Sequence, residues 1–136
     1  MRSLSGSHPR AQPLLAVLMS EPLNPVDVEN SISGIANQIA KVVAVVSNAY
    51  ATFLDADRMY DRAFAQAYMA HKGPAHEKRY AAEIETGELR SARDEKDAAY
   101  KYADRRAKAL MEQLRAMQSV NKSVMSMYQV AGVGQR

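Results

Sequence analysis

Between Pro25 and Pro74 the chain contains no proline, and across that stretch apolar residues recur at alternating intervals of four and three. The positions are Val28, Ile32, Ile35, Ile39, Val42, Val46, Ala49, Phe53, Ala56, Tyr60, Ala63, Ala67 and Ala70, and every one is apolar or aromatic. With 47% hydrophobic residues in the chain, chance would fill such a register roughly once in twenty thousand trials, so the pattern predicts one long amphipathic helix with a heptad seam. Asn24 followed by Pro25 marks its start, because the Asn side chain accepts from an orphan amide and proline is pre-set for the first helical position. Asp27 and Glu29 suit the positive end of the helix dipole.

The seam changes character along its length. Its first half carries Ile and Val, whereas its second half alternates aromatics with alanine, which lets a neighbouring helix approach closely. Val43, Val45, Tyr50 and Leu54 add apolar area beside the stripe and predict contact with more than one helix. "HKGP" at His71 to Pro74 predicts the helix end, with Gly73 as a left-handed cap and Pro74 unable to continue the ladder. A short helix fits Pro74 to about Glu85, stopping at Gly87. From Glu88 to Val130 the sequence is again free of Gly and Pro. Its best register is Tyr100, Ala103, Ala107, Leu110, Leu114, Met117, Asn121, Val124, Tyr128 and Ala131. A single Asn in such a seam sets register at some expense in stability.

These spans predict an all-α fold: a long helix over 25–71, a connector with a short helix over 72–87, and a long helix over 88–130. The two long helices form an antiparallel hairpin or coiled coil within one domain, 25–136. Each would run about 65 Å, and two helices bury only one seam, so the remaining apolar positions imply helices from other copies in a bundle or ring. The expected oligomerisation residues are Ile32, Ile35, Ile39, Val46, Phe53, Tyr60, Leu110, Leu114, Met117, Asn121, Val124 and Tyr128. The number of subunits is left open, because a mixed Ile, Val, Ala and Met seam is compatible with many bundle sizes.

Residues 1–24 hold Ser3, Ser5, Gly6, Ser7, Pro9, Pro13 and Pro22, a composition that resists regular structure and predicts a flexible tail. Its longest apolar run, Leu14 to Met19, is too short for a secretory core or a membrane span. "MSEPLNP" from Met19 reads as a natural start, which would make the first eighteen residues an upstream extension. The chain has no Cys, so disulfides, thiolate metal sites and cysteine nucleophiles are excluded, and a soluble, cytoplasmic protein is expected.

Catalytic signals are lacking. The three histidines are His8, His71 and His76, and no HExxH, GxSxG, P-loop or GxGxxG motif is present. No enzyme, metal site or cofactor is expected. Asp55, Asp57 and Asp61 lie among Arg58 and Arg62 at helical spacing, which reads as a salt-bridged, solvated face.

Charge is unevenly spread. Pro25 to His71 holds three basic and five acidic residues, whereas Glu88 to Arg136 holds ten basic and six acidic ones. Two basic constellations stand out. "HKGPAHEKRY" sets Lys72, Lys78 and Arg79 beside Tyr80, supplying charge for phosphates and a ring for a base. "KYADRRAKAL" sets Lys101, Arg105 and Lys108 on one helical stripe with Arg106 beside it. Repeated around an oligomer, that stripe becomes a dense cationic track.

In "FAQAYMAHKG" (Phe64 to Gly73) and "LRSARDEKDAAYKYADRRAKALMEQLRAMQSVNKSVMSMYQ" (Leu89 to Gln129) the chain resembles the UvsY-type recombination mediators of bacteriophages, together with related small helical phage proteins. The resemblance is one of layout over roughly Ser47 to Gln129. It implies a homo-oligomeric ring that binds single-stranded DNA and helps load a recombinase onto strands covered by single-strand-binding protein. Family members place basic residues just before the aromatic-glycine helix end. Here "AFAQAYM" is uncharged and Arg58 and Arg62 lie upstream. The departure shifts the expected DNA site towards Lys72, Lys78 and Arg79, within a wider candidate set of Arg58, Arg62, Tyr80, Lys101, Arg105, Arg106 and Lys108. The alternative is a structural or adaptor coiled-coil protein of phage assembly that binds no DNA.

Overall fold

The structure, a computed structural model, describes residues 24–133. The expected tail and the proposed start at Met19 lie outside the described residues. Three helices follow in chain order: α1 (Pro25–Ala70), α2 (Ala75–Glu85) and α3 (Gly87–Val133). Nearly every described residue is helical, and no strand occurs among them.

α1 begins as its sequence dictates. The Asn24 side chain accepts from the Val26 amide at 2.9 Å, and Pro25 occupies the first turn. The end differs from the expectation. His71 turns extended (φ −68°, ψ 126°) while its amide still donates to the Ala67 carbonyl, and no described residue, Gly73 included, has positive φ. Pro74 is sufficient reason: it lacks an amide and disfavours helical geometry at the residue before it, so the chain leaves the helix without a left-handed residue.

Gly87 likewise opens α3 instead of stopping α2. The joint is Thr86, which is 3% exposed. Its hydroxyl donates to the Ala82 carbonyl at 2.6 Å, and its own carbonyl accepts from the Arg90 amide at 3.0 Å. One residue thus satisfies the end of α2 and the start of α3.

The predicted heptad positions turn inward. One core cluster joins Val28 and Ile35 of α1 to Met117 and Val124 of α3, with Ile32, Ile39, Leu114 and Val120 against it. A second joins Val42 to Ala107 and Leu110, flanked by Ile39 and Val46. Further along, Tyr50 meets Tyr100 with ring centroids 5.0 Å apart, and Asp57 meets Arg93. Positions rising along α1 meet positions falling along α3, the order that an antiparallel hairpin requires. Full burial of a valine such as Val28 or Val124 stabilises by about 1.5–3 kcal/mol. Ala70, Tyr128 and Ala131 are exposed. α1 starts at Pro25, so nothing of it lies opposite the last turns of α3.

α3 carries the seam further towards its start than the predicted register, which opens at Tyr100. Arg93 and Thr86 stand seven and fourteen residues before Tyr100 and face the same way; Thr86 is buried and Arg93 half-buried. Within the seam the Asn121 Oδ1 atom is buried and has no hydrogen-bond partner among the described residues.

The accessible surface of 10987 Å² is large for a chain of 15.0 kDa, since a compact protein of that mass exposes roughly 7,000 Å². Val43, Val45, Tyr50, Tyr102 and Met111 are between 41% and 65% exposed along the middle of the α1–α3 pair.

Candidate nucleic-acid interface

The predicted cations fall into three places with different surroundings. At the α1–α2 turn most of them are engaged. Arg79 Nε reaches Glu83 Oε1 at 3.1 Å, and Lys78 Nζ sits 5.8 Å from the Tyr68 ring centroid. His71 Nε2 lies 3.3 Å from Glu77 Oε2. A side chain at position 73 would displace the ends of the His71 and Glu77 side chains. Lys72 and Tyr80 are exposed. Charge at this turn is largely answered locally, although Lys72 remains outside any ion pair among the described residues.

On α1, Arg58 pairs with Asp55, and both side chains are about 70% exposed, so the pair contributes little, about 0–1 kcal/mol. Arg62 is exposed and outside any described ion pair. Asp57 does not join this ladder. It reaches across to Arg93 Nη1 on α3 at 3.5 Å. Arg93 also stacks over Tyr60, with its guanidinium carbon 4.8 Å from the ring centroid, and contacts Asp94 at 3.3 Å. Desolvation works against the Arg93 charge, but Asp94, Asp57 and Tyr60 outweigh it and raise its pKa above the ordinary arginine value. Arg93 is a clamp between the helices and not a free cation.

The basic run of α3 divides. Lys101 Nζ pairs with Asp97 and Lys108 Nζ with Asp104, each at 2.9 Å and each four residues apart. The hydrogen bond and the charge of Asp104 raise the pKa of Lys108 above that of an ordinary lysine. Arg105 donates to the Lys101 carbonyl at 3.3 Å. No ion pair among the described residues engages Arg105, Arg106, Arg115 or Lys122, and all four are exposed.

Arg115 and Lys122 are absent from the residues that the sequence singles out, although their spacing announces them. Lys101, Lys108, Arg115 and Lys122 are seven residues apart and so lie on one helical stripe, rising about 10 Å per step. Residues 101–122 of α3 therefore present an extended row of basic side chains beside a seam that faces α1, its first two members paired with carboxylates.

The opposite flank of α3 forms an open groove with α1. Its volume is about 410 Å³, and Lys41, Val42, Val45, Ala99, Tyr102 and Arg106 are among the residues that line it. α1 is the one described helix long and apolar enough to cross a membrane by length and composition, and the apolar stretch in question is mostly uncovered. Among the described residues no three His, Asp or Glu side chains converge as a metal site would need.

Compared with protein-family models, with curated proteins and with solved structures, the chain matches none.

Proposed function

We propose that this chain is a non-enzymatic, self-associating helical-hairpin protein that binds single-stranded DNA along the basic row of α3. The observation that carries this reading is the exposure of Arg105, Arg115 and Lys122 without carboxylate partners among the described residues. Such cations release counterions from a phosphate backbone. The weight of the DNA contacts thereby moves from the Lys72, Lys78 and Arg79 turn towards α3, since Arg79 and Lys78 already have partners. An accessory role in phage recombination, with a recombinase and a single-strand-binding protein as partners, rests on the layout shared with UvsY-type mediators. A soluble, cytoplasmic setting fits a chain without Cys, and polar residues along α1 such as Lys41 and Asn48 favour a protein neighbour over lipid for its uncovered face.

The test is fluorescence anisotropy with a labelled single-stranded oligonucleotide. Three neutralised phosphates predict affinity falling roughly 20-fold between about 50 and about 200 mM salt. Binding that ignores salt, or none at the lower salt, removes the reading.

A second reading is favoured by a specific feature, the uncovered apolar side chains Val43, Val45, Tyr50 and Met111. An adaptor or assembly protein would cover them with a different protein. Light scattering separates the two: an adaptor stays small until its partner is added, whereas the DNA-binding reading requires a defined homo-oligomer.

A further inference from the structure

We propose that the groove between Lys41 and Arg106 is the seat of a second copy of this chain, docked antiparallel about a two-fold axis passing through Asn48. The inference rests on the self-associating reading above and specifies which face and which orientation make the oligomer.

The face is apolar where a partner would sit. Val45 and Tyr102 leave 55% and 65% of their surface uncovered beside buried Val42 and exposed Ala99. Alanine at 99 lets a helix from another copy come close, and Tyr102 from each copy has space to lie against it. A stable two-fold interface buries about 1,200–2,000 Å² in total. This chain exposes 10987 Å², several thousand above the roughly 7,000 Å² of a compact protein of its mass. Area is therefore in excess.

Orientation follows from charge. Lys41, Asn48 and Asp55 are exposed and seven residues apart, so they share one column of α1 beside the groove. Asn48 is the midpoint of that column. Two α1 helices laid antiparallel about Asn48 set each Lys41 opposite the partner's Asp55, twice over by symmetry. Laid in parallel and in register, they would set Lys41 against the partner's Lys41 and Asp55 against the partner's Asp55, and like charges in register are penalised. Asp55 already contacts Arg58, but both are open to solvent and the carboxylate has lone pairs for a second donor. Asn48 at the axis is self-complementary, since its amide group both donates and accepts. The result is a four-helix bundle with the two α1–α2 turns at opposite ends. Lys101, Lys108, Arg115 and Lys122 lie on the flank of α3 away from the groove, so the basic row of each copy stays accessible.

The chain has no native Cys, so a single introduced thiol reports proximity cleanly. Asn48→Cys in the full-length protein is treated with mild oxidant or a short bismaleimide, with Ala40→Cys, exposed on another face, as the control. A covalent dimer is expected for Asn48→Cys and not for Ala40→Cys. In parallel, Lys41→Asp and Asp55→Lys are examined singly and together by light scattering, with circular dichroism to confirm that helix is retained. Each single reversal is expected to raise the dimer dissociation constant about tenfold or more, and the double reversal to recover most of it. A wild-type protein that is monomeric at high concentration overturns the self-association reading and this inference together. A wild-type oligomer that gives no Asn48→Cys cross-link, or whose double reversal is no better than either single one, overturns only the face and orientation proposed.

Discussion

The guanidinium of Arg93 on α3 lies 4.8 Å from the ring centroid of Tyr60 on α1 and reaches the Asp57 carboxylate beside it at 3.5 Å. A charged residue thus occupies a seam position, with an aromatic face below and a carboxylate at its edge. Replacing Arg93 with Ala is expected to destabilise the fold by about 1–2 kcal/mol, because cation–π and charged hydrogen bonds vanish together. Arg93→Lys should recover only part of this, since an ammonium cannot stack and bond to two carboxylates through a planar fork. Urea unfolding followed by circular dichroism measures both.

Asn121 presents the opposite case, a seam residue whose Oδ1 is buried without a partner among the described residues. Asn121→Leu should stabilise by roughly 1–2 kcal/mol, since an unsatisfied buried acceptor is replaced by an apolar side chain. Thermal melting reads the effect.

The start of α1 depends on one side chain. Asn24→Ala removes the acceptor for the Val26 amide and is expected to lower stability by about 1 kcal/mol. Asn24→Asp should be close to neutral, because Asp caps as well and adds charge favourable to the dipole. Chemical denaturation of the three proteins side by side is sufficient.

The basic row yields a prediction in which position matters. Arg105, Arg115 and Lys122 changed together to Gln should weaken oligonucleotide binding at least tenfold and reduce the salt slope by about 2, close to 0.7 for each phosphate that is no longer neutralised. Lys78→Gln with Arg79→Gln should do much less, since those cations are engaged by Tyr68 and Glu83. Anisotropy titrations at several salt concentrations compare the two sets.

Much of this architecture is visible in the chain before any coordinates. Asn24–Pro25 and the thirteen-position heptad specify α1 to within a residue of its observed end, because cap chemistry and apolar period point the same way. The end at His71 has a partly different cause from the one expected: Pro74, not a left-handed Gly73, breaks the helix. Arg93 escapes notice because a charged side chain looks like surface; its only signal is that it stands seven residues before Tyr100. The weakness of Lys101 and Lys108 as free cations is in principle readable, since Asp97 and Asp104 precede them by four residues, the spacing that pairs charges on a helix. Arg115 and Lys122 are diluted by apolar and polar neighbours, and only the heptad places them in line with Lys101. What the sequence does not encode locally is coverage: the exposure of Val45 and Tyr102 depends on how α1 and α3 meet.

Native mass spectrometry of the full chain, with and without a single-stranded oligonucleotide, tests the central claim most directly, since it reads stoichiometry and ligand in one spectrum. The prediction is a defined even-numbered assembly of this chain that gains the mass of the oligonucleotide and loses it when Arg105, Arg115 and Lys122 are changed to Gln. A monomer that takes up no oligonucleotide, or an assembly whose uptake is indifferent to those three changes, would contradict it.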